Sequence, residues 1–355
     1  MARELELDRT RIADDAPCYL IGEIGNNHGG SVTDAQVLIQ SCADVGVSAV
    51  KFQKRTNATL YTRALLQQHY DHTHSFGRTY GAHRAALELS REGLRECFQF
   101  ARAVGVTAFA TAFDEQAVDD VMAAGSVALK VASSGLTDTP LLACVAQQGV
   151  PVLLSCGGGT MDDIARAVDV LSRASAVFSL LHCTAVYPVR EYRELNLRVI
   201  PTLRTRYPDT VIGWSGHDAG ICMPVVAYTL GARIIEKHVT LNRTLKGTDH
   251  AFSLEPAGLR KLVRDLNRVN LALGDGEKRR YASEEAPLRK MTRSLVAVRP
   301  LKTGYVLTAA DVALRIPNDG LPPYLLPDIV GFPLALPLGT DEPITSAHIR
   351  SETHA

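Results

Sequence analysis

Short apolar runs rich in β-branched residues recur along the chain, and most are followed by a stretch in which apolar residues return every three or four positions. Runs of the first kind predict strands at 18–24, 48–52, 106–111, 127–132, 151–155, 178–183, 211–215 and 233–238. Stretches of the second kind predict helices at 33–45, 91–104, 116–124, 140–148, 161–174, 197–207 and 221–230; Ala35, Leu38, Ile39 and Cys42 show the spacing. Ser31 and Asp114, each just ahead of a helical stretch, suit N-caps. Strand alternating with helix implies parallel strands joined by right-handed crossovers. Eight such strands predict an α/β fold, a (β/α)8 TIM barrel closing near Gly274. An open doubly wound sheet is the alternative that periodicity leaves standing.

Two regions break the rhythm. Residues 54–89 form a long polar insertion between the second and third strands, rich in Arg, His and Tyr, as expected of a lid or substrate loop; disorder is the plainer alternative. After Gly274 the texture becomes charged and then Pro- and Gly-rich, with short strand-like runs. The expected organisation is a barrel domain over 1–275, a linker over 276–293 and a small β-rich domain over 294–355.

Composition narrows the function. Lys and Arg number 38 against 38 Asp and Glu, a balance that argues against a dedicated nucleic-acid or membrane-surface binder. No segment reads as a bilayer-crossing helix, and the N-terminus has no apolar export signal. Seven cysteines with no CxxC pair read as buried thiols in a reducing cytosol, so a cytoplasmic location is expected.

In a barrel enzyme the working groups sit where strands end. Here those ends carry Glu23 with Asn26, Asn27 and His28; Lys51 and Gln53; Thr111; Lys130 and Ser133; Ser155; His182 and Tyr187; Ser215 and His217; then Glu236, Lys237 and His238. Lys51 and Lys130 close apolar strands, where an ammonium needs a negative partner. With the hydroxyls of Thr111, Ser133, Ser155 and Ser215 they describe a pocket for a small, highly charged anion; structural Lys–Glu pairs are the alternative. His217 and His238 come from neighbouring strand ends, near Glu236 and Asp249, and can share one divalent cation. A hydrogen-bonded structural role for either histidine is equally open on spacing alone. Glu23 can activate a water or bridge to a lysine.

The runs IGEIGNNHGG (21–30), VKFQ (50–53), LKVAS (129–133), LLSCGG (153–158), LHCTAVYP (181–188), EKHVTL (236–241) and GTDHAFSLEP (247–256) resemble the sialic acid synthase family over nearly the whole chain. GYVLTAADVALRIPNDGLPP (304–323) resembles the antifreeze-like (SAF) domain those enzymes carry. The resemblance implies condensation of phosphoenolpyruvate (PEP) with an aldose aldehyde, giving a 2-keto-3-deoxy sugar acid and phosphate. It implies a divalent cation, manganese or magnesium, on His217 and His238. Lys51, Thr111, Lys130, Ser133, Ser155 and Ser215 match positions that hold PEP. Glu23 and Asp249 match carboxylates near the reacting atoms, while Gln53, Tyr187, Glu236 and Arg315 are the expected sugar-side residues. A domain-swapped homodimer is implied as well. An octulosonate- or heptulosonate-type synthase and a non-catalytic sugar-phosphate-binding homologue are the competing readings.

Departures from the family pattern fall on the aldehyde side. Ser134–Gly135 stands where the family has Gly and then an acidic residue; Ala185 replaces Asn or Ser; Gly216 replaces Asp. Ile316 precedes Pro317, with Arg315 one position earlier than the family's sugar-contacting arginine. The expectation is retained condensation chemistry on a non-standard sugar, one without an N-acetyl group.

Overall fold

The computed structural model describes residues 3–349, and the chain divides into two compact units at Gly274/Asp275. The first unit begins with a hairpin, β1 (Glu4–Leu7) and β2 (Thr10–Ala13). The strand–helix rhythm passes over it. Yet Glu4-Leu5-Glu6-Leu7 alternates with period two, and Asp8 and Arg9 take the positive φ (47° and 67°) of a two-residue turn.

Eight parallel strands follow: β3 (Tyr19–Gly25), β4 (Ala49–Lys54), β5 (Thr107–Ala112), β6 (Leu129–Val131), β7 (Val152–Ser155), β8 (Phe178–Cys183), β9 (Val211–Gly216) and β10 (Ile234–His238). They close in chain order, β10 pairing with both β9 and β3, so the barrel holds and the open sheet does not. Helix α1 (Val32–Val45) follows β3, with the Ser31 hydroxyl accepting from the Asp34 amide and Gly46 ending it at φ 81°. The insertion after β4 carries three short helices, α2 (Asn57–Leu60), α3 (Arg63–Gln67) and α4 (Tyr80–Leu87), before α5 (Arg91–Ala103). Thr62 and Thr79 cap α3 and α4, so this segment is built structure over the rim. The remaining barrel helices are α6 (Glu115–Ala123), α7 (Thr139–Ala146), α8 (Met161–Arg173), α9 (Val199–Arg206), α10 (Cys222–Thr229) and α11 (Pro256–Leu273). Asp114 caps α6 through the Ala117 amide.

Period two along each strand sorts the interior into layers. Tyr19, Ile21, Ala49, Phe109, Leu153, Leu181, Val211 and Ile234 fill the lower barrel, and Leu5, Leu7 and Ile12 of the hairpin pack against the same cluster. The next inward positions up the same strands are Glu23, Lys51, Thr111, Lys130, Ser155, Ser215 and Glu236, all buried. The outward positions, such as Val50, Phe52, Leu154 and Trp214, form the core beneath the helices. Thus an apolar plug supports a polar layer, and strand register fixes who meets whom: Glu23 lies beside Lys51 on one side and His238 on the other.

In the second unit, the stretch read as a linker contains α12 (Glu285–Met291). Then β11 (Ser294–Ala297) pairs antiparallel with β12 (Val312–Arg315), followed by the one-turn α13 (Leu326–Ile329). Leu295, Ala297, Leu301, Leu307, Leu334, Leu338 and Ile344 form its own small core. Among the described residues no helix is long and apolar enough to cross a membrane.

Candidate active site

A cavity of about 710 Å³ opens at the C-terminal rim of the barrel. Lys51, Thr111, Lys130, Ser133, Ser155 and Ser215, proposed from sequence for an anion, all line it. So do Glu23, His217, His238 and Asp249, together with Gln53, Tyr187 and Glu236. Arg315 belongs to the second unit, where its guanidinium lies 2.6 Å from Asp341. Two rim residues face elsewhere. His182 gives its Nε2 to the Leu195 carbonyl at 2.7 Å, and Lys237 points outward to Asp218 at 2.9 Å.

The two lysines differ. Lys51 Nζ is 2.7 Å from Glu23 Oε2, donates to Thr111 Oγ1 at 2.7 Å, and lies 4.0 Å from Glu236. Lys130, only 2% exposed, donates to Ser155 Oγ at 2.5 Å and to the Val131 carbonyl at 3.2 Å. Among the described residues no carboxylate lies within 4.0 Å of Lys130, and burial pulls its pKa down. Its direct partners are a hydroxyl and a carbonyl, and Glu236 acts on it only from beyond 4.0 Å; an ammonium buried in this way is costly, and a bound anion would relieve it.

The carboxylates also differ. Burial pushes Glu23 up to about 7 against the pull of Lys51, and Gln53 Nε2 donates to its other oxygen at 2.7 Å. Burial would raise Glu236 too, but Lys51, Lys130 and the Ser215 hydroxyl at 2.8 Å overcome it and hold it at about 2. Across the cavity, His217 Nδ1 lies 3.1 Å from the Thr184 carbonyl and therefore carries the proton, leaving Nε2 its lone pair. The His217 and His238 ring centroids are 5.4 Å apart, with Tyr187 tilted against His217 at 4.0 Å and Phe252 edge-on to His238 at 5.0 Å. His238 Nδ1 is buried without a hydrogen-bond partner, 3.7 Å from Asp249 Oδ2. Burial holds both imidazoles neutral, at about 3.

These residues fit a divalent cation. Two buried neutral imidazoles, one with an unpartnered nitrogen beside a carboxylate, are a nitrogen–oxygen donor set. Among the described residues no group of three or more His, Cys, Asp or Glu side chains is arranged to hold a metal ion.

The close packing of the rim depends on two glycines. A Cβ on Gly157 would lie 2.7 Å from Ser133 Oγ, which accepts from the Gly157 amide at 3.0 Å. A Cβ on Gly216 would lie 1.8 Å from the Trp214 ring. Gly216 is therefore a packing departure under Trp214 and not, as the sequence suggested, a lost sugar contact. Residues that strand-end reasoning missed come mainly from the insertion: Tyr70, His83 and Arg84, with Arg55 just beyond β4 and Phe113 just beyond β5.

Burial of neutral imidazoles predicts acid lability. His28 is held at about 4 and His217 and His238 at about 3, below the 6.5 of a free imidazole. The unfolded chain therefore binds more protons, and stability falls as pH drops from 6.5, by roughly 1.4 kcal/mol per unit for each such group. Glu23, raised from 4.5 to about 7, works oppositely: its contribution is full below 4.5 and is lost as pH rises through 7. His83 is likewise held at about 4, so four imidazoles outweigh the two raised carboxyls, Glu23 and Glu88, and the urea midpoint of the ligand-free protein should fall between pH 6.5 and 4.5. A flat or rising midpoint would contradict this assignment of neutral histidines.

A model described as the NeuB family matches residues 38–278, and one described as the SAF domain matches residues 292–350. N-acetylneuraminate-9-phosphate synthase of Homo sapiens is 35% identical over 346 residues, covering 97% of this chain and 96% of the human protein. N,N'-diacetyllegionaminic acid synthase of Legionella pneumophila is 31% identical over 341 residues, covering 94% of this chain and 95% of its own. The crystal structure of N-acetylneuraminic acid (sialic acid) synthetase from Leptospira borgpetersenii in complex with citrate superposes with a TM-score of 0.71 at 32% identity, covering 81% of this chain and 96% of that one.

Proposed function

The chain belongs to the NeuB family, and from that premise we propose that it condenses PEP with an aldose to a 2-keto-3-deoxy sugar acid, releasing phosphate. The observation that carries this reading is Lys130, an ammonium sealed in the barrel with no carboxylate within 4.0 Å among the described residues. Four cationic side chains, Lys51, Arg55, Arg84 and Lys130, line the cavity against three carboxylates, one of them Glu23, which burial keeps partly protonated near neutrality. That balance accepts an anion, and more strongly still with a cation on the histidines.

In this reading Lys51 and Lys130 grip the charged ends of PEP, with the Thr111, Ser133, Ser155 and Ser215 hydroxyls completing its hydrogen bonds. Gln53, Tyr187 and Asp249 orient the aldose. A divalent cation held by His217 and His238 would supply Lewis-acid polarisation of the aldehyde oxygen. C3 of the enol forms the new bond to the aldehyde carbon, whose oxygen takes a proton. Water adds to C2, and Glu23, able to exchange a proton near neutrality, receives the proton it loses. The C2–O bond to phosphate then breaks, leaving the keto acid and inorganic phosphate.

The relatives' names and the SAF match support this over an octulosonate- or heptulosonate-type synthase. A Glu23 able to exchange a proton near neutrality, set beside the anion pocket and the imidazole pair, supports it over a non-catalytic homologue. A cytoplasmic, domain-swapped homodimer is part of the same proposal. The test is an aldose panel with PEP and manganese or magnesium, following inorganic phosphate and product mass. At least one aldose should give phosphate and a new keto acid, and chelation should abolish both; phosphate release indifferent to every aldose would contradict the reading.

A further inference from the structure

The outward side of the rim carries an ion pair that faces away from the cavity. Lys237 and Asp218 are each 1% exposed, and Lys237 Nζ donates to Asp218 Oδ1 at 2.9 Å and to the Asp218 carbonyl at 2.5 Å. Both bonds go to one residue, so the ammonium fixes its side chain and its backbone together. The other carboxylate oxygen, Oδ2, is buried without a hydrogen-bond partner. The ring of buried Trp214 is centred 5.7 Å from Nζ. Each member of the pair is the chain neighbour of an imidazole: Asp218 follows His217, and Lys237 precedes His238.

The place matters because the strand pairing stops there. The β9–β10 ladder runs from Gly213 opposite Ile234 to Gly216 opposite Lys237 and ends. Past that point the two histidines are tied to different neighbours. His238 is registered with Glu23 of β3, whose carbonyl accepts from the Val239 amide at 2.9 Å. His217 is held toward the segment after β8: its carbonyl accepts from the Val189 amide at 3.2 Å, and its Nδ1 meets the Thr184 carbonyl at 3.1 Å. The Lys237–Asp218 pair spans the gap that the ladder leaves open. Gly216, the register partner of Lys237, has no room for an acid, because a Cβ there would lie 1.8 Å from the Trp214 ring. The carboxylate comes instead from two residues later, beyond His217.

A buried ion pair is weak evidence for stability, since apolar side chains of similar volume commonly serve a fold as well or better. Its position accounts for it. With no group of three or more ligating side chains arranged for a metal among the described residues, a shared cation depends on the spacing of the two imidazoles, whose centroids are 5.4 Å apart. We propose that Lys237 and Asp218 are positioning residues that set this spacing from outside the barrel, an assignment that rests on the metal reading above.

The experiment titrates manganese alone into the ligand-free protein, reading the free ion by paramagnetic resonance, and follows thermal unfolding of the same samples. Lys237→Met/Asp218→Leu removes both charges at similar volume. It should unfold at or above the temperature of the parent. Its manganese affinity should nevertheless fall roughly ten- to a hundredfold, as when groups that orient metal ligands are lost. The visible absorption of bound cobalt should shift, and in steady state the loss should fall on kcat with the KM for PEP held. Asp218→Asn keeps the shape and an acceptor oxygen, and carries the same test should the double replacement not fold: weaker manganese binding by the folded protein supports the pairing. Parental manganese affinity and an unchanged cobalt spectrum in the folded variant overturn the positioning role and leave the metal reading intact. A parent that binds no manganese, or that still binds it after His217→Ala and His238→Ala, overturns both.

Discussion

Lys130→Met should leave the ligand-free protein at least as stable as the parent while raising the KM for PEP roughly hundred- to thousand-fold, the loss expected when one partner of a buried charged contact is removed. The two halves of this result have one cause. Lys130 is buried with a hydroxyl at 2.5 Å and a carbonyl at 3.2 Å as its direct partners, so the folded protein bears its desolvation without a close ion pair. Methionine removes that cost and, with it, the group awaiting the anion. Lys51→Met should behave differently. Lys51 sits 2.7 Å from Glu23 and 4.0 Å from Glu236, so its loss leaves two carboxylates facing one another and should destabilise the fold by about 3–5 kcal/mol. Thermal unfolding with and without PEP, beside initial rates, separates these outcomes. A Lys130→Met protein that unfolds earlier yet binds PEP normally would mean that Lys130 is a structural residue.

His217→Ala and His238→Ala should each lower phosphate release by about a thousandfold or more, the several kcal/mol that a Lewis acid contributes. Each should also lose tight binding of manganese, read directly from the paramagnetic resonance of the free ion. Asp249→Asn should cost less, roughly ten- to a hundredfold, because Asp249, 3.7 Å from His238 Nδ1 and not hydrogen-bonded to it, adds one oxygen to a donor set whose two imidazoles remain. Retention of manganese binding in both histidine variants would remove the metal assignment. It would leave two neutral imidazoles, packed against Tyr187 and Phe252, as packing residues.

Strand ends were legible in the sequence because period-two burial and rim chemistry reinforce each other: the residue that follows an inward apolar position by two is the next one inward. Ile21 leads to Glu23, Ala49 to Lys51, Leu153 to Ser155 and Ile234 to Glu236. The same rule, applied more strictly, places Lys237 outside between Glu236 and His238, where Asp218 meets it. What escaped the sequence lies beyond the period of the barrel. The hairpin β1–β2 is four residues a strand and precedes the first repeat. The helices of the insertion run four, five and eight residues, too short to show a periodic face. Arg55 and Arg84 are separated by most of that insertion, and only its folding brings both to the active-site cavity. Gly216 looked like a missing sugar ligand because a sequence cannot show that Trp214 occupies the space beside it.

The central claim is that Lys51 and Lys130 hold an enol phosphate whose C2–O bond breaks after C3 has joined an aldehyde. PEP carrying heavy oxygen in the bridging position, incubated with the preferred aldose and manganese, tests it most directly by mass spectrometry of both products. The account predicts that the heavy isotope leaves in inorganic phosphate, one equivalent for each new keto acid whose mass is the sum of aldose and pyruvate. Recovery of the isotope in the organic product, or no keto acid beside the released phosphate, would contradict it.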